Sequence, residues 1–384
     1  MKKITLVLAA MLIGLVGFAQ ESASETYLNS GQRLLGKDMG KGITFGGYGQ
    51  IDYNEKDGSE AGNLDVHRLV LLFGYKFNDK VSFLTEVEYE HVKEVYVEQA
   101  YIKYKANENL NVLAGLMLVP MGIINEFHEP TTFYGVERPN VDKYIVPTTW
   151  RELGVGVSGK IDNASLKYQA YLFNGFRSFN SKNEPGKEGL IGGSSGLRGG
   201  RQKGAESVVS SPNLSTKIDF YGIRGLRLGV SGYFGKTQSD DVAVDGTTVG
   251  VSMLGFDARY KYNNLELRGQ YIATSLTDTE EYNTLTGKDL GSKMNGLYGE
   301  VAYSFDLKGE EKLTPFLRYE KHNTHAETEG FAANEAYDRD ELIFGLNYKV
   351  AEGAAFKVDY QIMNNAVSGS DASKQFNAGV AIWF

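Results

Sequence analysis

The groups with the most capacity for chemistry are charged side chains set where a water-soluble fold would place apolar ones. Arg68, Arg259 and Arg268 lie inside segments that otherwise alternate with apolar residues, and Glu126, Glu137 and Arg138, with Arg151 just beyond, belong to the stretch 120–150. Fixed guanidinium and carboxylate groups facing one another across a narrow watery path would orient dipolar solutes and sort ions by charge. Covalent chemistry has less support. The five histidines (67, 91, 128, 322 and 325) show no metal spacing on one strand face, and His322 and His325 fall on opposite faces or at a loop edge. The run Gly154-Val155-Gly156-Val157-Ser158-Gly159 matches the dinucleotide fingerprint by letter. It lies in a strand pattern with no helix after it, so the phosphate-cradling turn cannot form. No catalytic, cofactor or metal set is expected.

The elements that must position these charges are strands. Period-2 alternation recurs from about residue 42 to the end, as in Leu265 to Tyr271, Leu342 to Val350 and Phe356 to Ile362. The pattern predicts sixteen strands, at 42–53, 63–77, 80–90, 93–105, 109–119, 151–161, 164–174, 208–220, 225–237, 247–262, 263–275, 293–306, 312–324, 336–350, 353–366 and 374–384. Links such as Asn78-Asp79, Asp162-Asn163, Asn263-Asn264 and Ala351-Glu352 are very short. They alternate with longer links at 54–62, 120–150, 175–207, 238–246, 276–292 and 325–335. Such segregation predicts one all-β, transmembrane antiparallel barrel with short periplasmic turns and long extracellular loops; an even strand number puts both termini on the periplasmic side. Tandem soluble domains would show linkers, and none is evident.

Composition agrees. Gly is abundant at 46 and Pro scarce at 7, Tyr (24) outnumbers Phe (20) and Trp (2), and Cys is absent. Lys2 and Lys3, the apolar run Ile4 to Val16 and Gly17-Phe18-Ala19 predict a signal peptide over 1–19 and export. Residues 20–41 read as a polar, flexible periplasmic extension with one short helical turn near Tyr27 to Leu35, followed by the barrel at 42–384. Formal charge is −8, and removing the two signal lysines makes it −10, which argues against nucleic acid as a partner.

If the apolar face meets lipid, the charged face lines the lumen. A basic group facing lipid at mid-depth would cost roughly 2–4 kcal/mol. The expected lumen carries Arg68, Lys103, Lys167, Lys217, Arg227, Arg259, Lys261, Arg268, Arg318 and Lys357. Against them stand Glu86, Glu88, Glu90, Asp219, Asp257, Glu266, Glu300, Glu320 and Asp359, so the two signs nearly cancel. A barrel this wide is expected to hold water, keeping these groups hydrated. The turn Asn263-Asn264 pairs Lys261 with Glu266 and Arg259 with Arg268, two guanidiniums side by side that Asp257 and its neighbours are expected to neutralise. The stretch 120–150 holds four of the seven prolines. It is expected to fold inward as a constriction rather than pack over the barrel mouth.

The last strand places Phe376, Ala378, Val380, Ile382 and Phe384 on one face, with Gly379 between. It looks like the assembly signal of outer-membrane barrels, with Phe376, Gly379, Ile382 and Phe384 as its marks. Gly46-Gly47-Tyr48, His67-Arg68, Val119-Pro120-Met121-Gly122, Glu137-Arg138-Pro139, Trp150 to Val155 and Phe173-Asn174-Gly175 carry a wider likeness. Through them the chain resembles the phosphate-selective porins O and P and their relatives in Bacteroidetes-type bacteria. The resemblance implies a sixteen-stranded homotrimeric porin in a Gram-negative outer membrane that passes small hydrophilic solutes and inorganic anions such as phosphate past inward-facing Arg and Lys. Outer-membrane lipid and the barrel assembly machinery are the other expected partners. Here the near balance of charge departs from a dense basic ladder. The pore residues expected are Arg68, Glu126, Glu137, Arg138, Arg151, Arg259 and Arg268, and the alternative is an adhesion or structural barrel without an open channel. Barrel proteases and phospholipases need paired Asp/His or Ser/His groups in narrower barrels, so no enzyme is expected.

Overall fold

The computed structural model describes residues 29–36 and 41–384; the expected signal peptide 1–19 and most of the extension lie outside them. Sixteen antiparallel strands run in chain order: β1 (Gly42–Lys56), β2 (Asn63–Lys76), β3 (Val81–Glu90), β4 (Glu94–Asn107), β5 (Leu110–Leu118), β6 (Arg151–Ile161), β7 (Leu166–Phe173), β8 (Asn213–Ile223), β9 (Leu226–Lys236), β10 (Gly250–Tyr262), β11 (Leu265–Thr277), β12 (Lys293–Tyr303, resuming at Phe305–Asp306), β13 (Lys312–Glu327), β14 (Asp338–Ala351), β15 (Ala354–Asn365) and β16 (Ser373–Trp383). Each strand pairs with its sequence neighbours. β16 closes the ring on β1 from Tyr48 opposite Trp383 to Lys56 opposite Gln375. Phe384 completes the seam, its N–H donating to the Gly47 carbonyl at 2.9 Å and its carbonyl accepting from Gly47 N–H at 3.0 Å.

Every predicted strand has its counterpart. The largest displacement is at β8, predicted from 208. Before it, the Gln238 side-chain oxygen accepts from the N–H groups of Ser210 and Ser211 (2.7 and 2.9 Å), so this backbone is satisfied by a side chain instead of a ladder. The turn Asn263-Asn264 sets the predicted register, with Lys261 opposite Glu266 and Arg259 opposite Arg268. Gly154 and Gly156 lie in β6, where an added Cβ would strike the carbonyls of Leu172 and Ala170 at 2.2 Å. Close strand contact therefore accounts for the glycine-rich run.

Burial is inverted relative to a soluble protein. Along β12, Leu297, Val301 and Tyr303 are exposed on the outside, while Met294, Tyr298 and Glu300 are buried within. β16 repeats this, with Phe376, Ile382 and Phe384 outside and Asn377 and Ala381 inside. An outer wall of exposed apolar residues is stable only against lipid. Rings gather at the short-turn rim, among them Phe45–Phe73 (5.3 Å between centroids), Tyr75–Phe77 (4.8 Å) and Tyr303–Phe305 (5.0 Å), as an aromatic girdle requires. Among the described residues no helix is long and apolar enough to cross a membrane.

Among the described residues three short helices are present: α1 (Ser30–Gly36), α2 (Val141–Tyr144) and α3 (Thr279–Thr286). α1 is held at the short-turn end of the lumen. Leu34 is buried with Tyr48, Val70, Leu72 and Leu84, the Ser30 N–H donates to the Glu129 carboxylate, and Arg33 lies over the Trp383 ring.

Candidate functional site

The chain between β5 and β6 leaves the wall and crosses the lumen. Its apolar residues Met121, Ile123, Ile124, Phe133, Val141, Ile145, Val146 and Trp150 form the main buried cluster together with inward residues of the wall such as Tyr171, Tyr233, Met253 and Ile272. Asn125 closes the base of the loop. Its amide donates to the carbonyls of Val119 (2.7 Å) and Trp150 (2.8 Å), and its oxygen accepts from Trp150 N–H at 2.8 Å.

The loop is then tied to strands around the ring. Lys217 on β8 donates to the Gly122 carbonyl (2.5 Å) and to Glu126 (3.0 Å). Gln270 on β11 accepts from Ile123 N–H (2.7 Å) and donates to Asp142 (3.0 Å). Lys357 on β15 donates to the carbonyls of Pro130, Phe133 (2.6 Å) and Gly135 (2.8 Å), and Asp359 accepts from Val136 N–H at 2.6 Å. Glu320 on β13 accepts from Val141 N–H at 3.0 Å, and Glu341 on β14 accepts twice from Asn140 (2.7 and 2.8 Å). Gly379 faces this core, where an added Cβ would meet Val136 at 3.1 Å and Asp52 at 2.8 Å.

This packing corrects the expectation that lumen charges are hydrated. Lys217, Arg227, Arg268 and Arg318 are buried in ion pairs: Arg227 with Asp219 at 2.6 Å, Arg268 with Glu266 (2.6 Å) and Glu300 (3.2 Å), and Arg318 with Glu320 (3.3 Å). The strands enclose a wide space, but the loop occupies it, so carboxylates and loop carbonyls replace water as partners. The neutraliser of the Arg259–Arg268 pair also differs from the one expected. Asp257 faces Lys217 at 3.6 Å; Glu266 and Glu300 hold Arg268, and Arg259 stacks over the Phe127 ring at 4.5 Å.

The expected pore residues fall into three places. Arg68, Arg138 and Arg151 gather between loop and wall on the β2–β4 side. Arg68 pairs with Glu88 at 3.7 Å and Arg151 with Glu98 at 3.4 Å, while the buried Nη1 of Arg138 meets no acceptor among the described residues. Burial, then the charge of Arg68, lowers the Arg138 guanidinium to about 10. Glu137 lies nearby, accepting from Asn54 at 3.1 Å, with its carbonyl turned to Arg318 at 3.4 Å. Glu126 is elsewhere, neutralised by Lys217 and bonded to Gln169 at 2.7 Å. Arg259 and Arg268 are separate again, lining a cavity of about 410 Å³ near the short turns with Arg33, Lys261, Lys312 and Lys349 and the rings of Phe127, Phe133 and Tyr134. Six basic residues line that cavity against two acidic ones, Glu266 and Glu352; of the six, Arg268 is paired with Glu266 and Glu300 and Lys312 with Asp306.

Two basic residues escaped the sequence reading. Arg198 donates to the Thr148 carbonyl at 2.5 Å, and Arg201 to those of Pro147 and Thr149 at 3.1 Å each, joining the 174–212 loop to the crossing loop. Burial, then Arg198, Arg151 and Arg138, lowers Arg201 to about 9, so these guanidiniums feel one another. The Arg198-Gly199-Gly200-Arg201 spacing was the available signal, but nothing in it says which way a glycine-rich loop folds. Strand pairing also brings His67 and His91 together with Asp65, and the inward course of the crossing loop brings His128 to Glu86 and Glu98, groups that spacing along one strand cannot reveal.

A closed sixteen-stranded barrel with an apolar outer wall and a loop-crossed, charge-lined lumen defines a channel protein of the porin class in a Gram-negative outer membrane. Residues 42–377 match the family described as phosphate-selective porin O and P, and the chain belongs to that family. An uncharacterized protein of Aquifex aeolicus (strain VF5) is 32% identical over 344 residues, covering 83% of this chain and 75% of that one. Among solved structures, the outer membrane channel DcaP of Acinetobacter baumannii is similar at TM-score 0.61 and 13% identity, over 91% of this chain and 99% of that one. Salmonella typhi OmpF in complex with daunomycin is similar at TM-score 0.56 and 14% identity (90% and 98% covered). An anion-selective porin from Comamonas acidovorans is similar at TM-score 0.55 and 12% identity (89% and 99% covered).

Proposed function

We propose that this porin passes small hydrophilic solutes passively and prefers inorganic anions, phosphate among them, at a constriction built by the crossing loop. The observation that carries this reading is Arg138, a half-buried residue whose enclosed Nη1 meets no acceptor among the described residues, beside Arg68, Arg151, Arg198 and Arg201. Charge left unbalanced in a water-poor place attracts a counter-ion, and a passing anion would supply it. The cavity at the short-turn end, lined by six basic residues, extends the same field along the path. Glu137 stands close enough to Arg138 to give the field a transverse part, whereas Glu126 is neutralised by Lys217 and drops out of that role. The anion-selective Comamonas porin is consistent with this preference.

The reading includes a homotrimer, a periplasmic N-terminus with short turns on that side, and no catalysis. It also has Phe376, Gly379, Ile382 and Phe384 recognised by the barrel assembly machinery. Arg138→Glu tests the core of it. In planar bilayers under a KCl gradient, the reversal potential of the variant should move toward the cation side relative to the parent. An unchanged potential would place Arg138 off the path, and a parent chain that conducts nothing would favour an adhesion barrel.

A further inference from the structure

Tyr48 on β1, Glu86 on β3, Glu98 on β4 and His128 on the crossing loop bring four ligand-type atoms to one point, and all four residues are buried. His128 Nε2 lies 2.9 Å from the Tyr48 hydroxyl, 3.2 Å from Glu98 Oε2 and 3.7 Å from Glu86 Oε1. The hydroxyl lies 2.6 Å from that Glu86 oxygen and 3.3 Å from the Glu98 one. Ligands held tetrahedrally at about 2.0–2.1 Å from a zinc-sized ion stand about 3.3 Å apart, within the span of these separations. We propose that the cluster is a structural site for a divalent transition-metal ion of the zinc class, fastening the crossing loop to the barrel wall.

Two further features support a metal. Outer partners already orient the donors: His128 Nδ1 faces the Asn125 carbonyl at 3.1 Å, Gln99 donates to the other Glu86 oxygen at 2.5 Å, and Arg151 lies 3.4 Å from the other Glu98 oxygen. A hydrogen bond from Nδ1 to a carbonyl leaves the Nε2 lone pair free for a cation. Three oxygens also crowd the same side of Nε2. One N–H can point at only one of them, whereas an ion about 2 Å from each serves all three. The imidazole and oxygen donor set suits zinc better than calcium or magnesium, which prefer oxygens alone. Because the loop supplies one ligand and three strands the others, the site exists only once the loop has folded in, and metal binding couples to that step.

The test uses the full chain folded in detergent in the His91→Ala background, which removes the separate rim group of Asp65, His67 and His91. Folding proceeds in CoCl2 or ZnCl2, followed by gel filtration and metal analysis. The expected result is metal co-eluting in equimolar amount, with the intense visible bands of four-coordinate cobalt. Both should be lost in Glu98→Gln and His128→Gln barrels that keep their strand circular dichroism. If those variants fail to fold, the His91→Ala chain alone decides. A folded chain that elutes without metal overturns the proposal and leaves His128 as an imidazolium among carboxylates. Metal retained after His128→Gln overturns it too.

Discussion

Asp142 shows what a charged residue experiences once the loop is inside the barrel. Its carboxylate is buried beside Gln270, and burial lifts its pKa to about 7, with the charge of Glu320 adding and the Gln270 hydrogen bond opposing. Folded Asp142 therefore holds its proton more tightly than an unfolded aspartate does. That stability is full below the unfolded pKa near 3.8 and is lost as pH rises through about 7. Urea unfolding between pH 4 and pH 8 should show the parent losing up to about 4 kcal/mol that Asp142→Asn keeps. Equal slopes in the two proteins would mean that Asp142 stays ionised. The sequence placed Arg68, Arg138 and Arg151 in the pore but could not show which charges would be neutralised. Glu126 and Asp257 both meet Lys217, a residue distant from Glu126 in the chain, and no local pattern encodes that meeting.

At the scale of the element, strands were legible and the crossing loop was legible only in part. A strand's face follows from period 2 and its ends from turn chemistry, so Asn263-Asn264 fixed a register that the structure repeats residue for residue. The loop has no period. Its prolines said that it could not be a strand, while its position inside the ring rests on scattered donors such as Lys357, whose ammonium gathers three backbone carbonyls. Lys357→Met would leave those carbonyls without their donor, a loss of about 2–5 kcal/mol concentrated on residues 130–135. Single-channel recordings of this variant should show larger or noisier openings from a barrel that still migrates as folded. Openings identical to the parent's would mean that this part of the loop does not bound the path. The 29–36 segment makes the same point: read as one short helical turn in a flexible extension, it is helical, but its Leu34 packs against Tyr48, Val70 and Leu72, an apolar recess made by β1 and β2, outside the segment itself.

The whole molecule joins a wall sorted by hydropathy to an interior sorted by charge. Leu297, Val301 and Phe384 are exposed on the outer wall, and the lumen takes the polar alternates, as the inverted pattern of β12 and β16 required. What the inversion did not disclose is that the interior is largely packed and ion-paired around one loop, with Arg138 Nη1 left without an acceptor among the described residues and six basic residues against two acidic ones along the short-turn cavity. On the proposed function, this charge sets the ion preference of a narrow channel. The reversal potential of the parent protein in a planar bilayer under a KCl gradient measures it most directly. Discrete conductance steps and a reversal potential on the chloride side are expected. A reversal potential on the potassium side, or a membrane that never conducts, would contradict that reading.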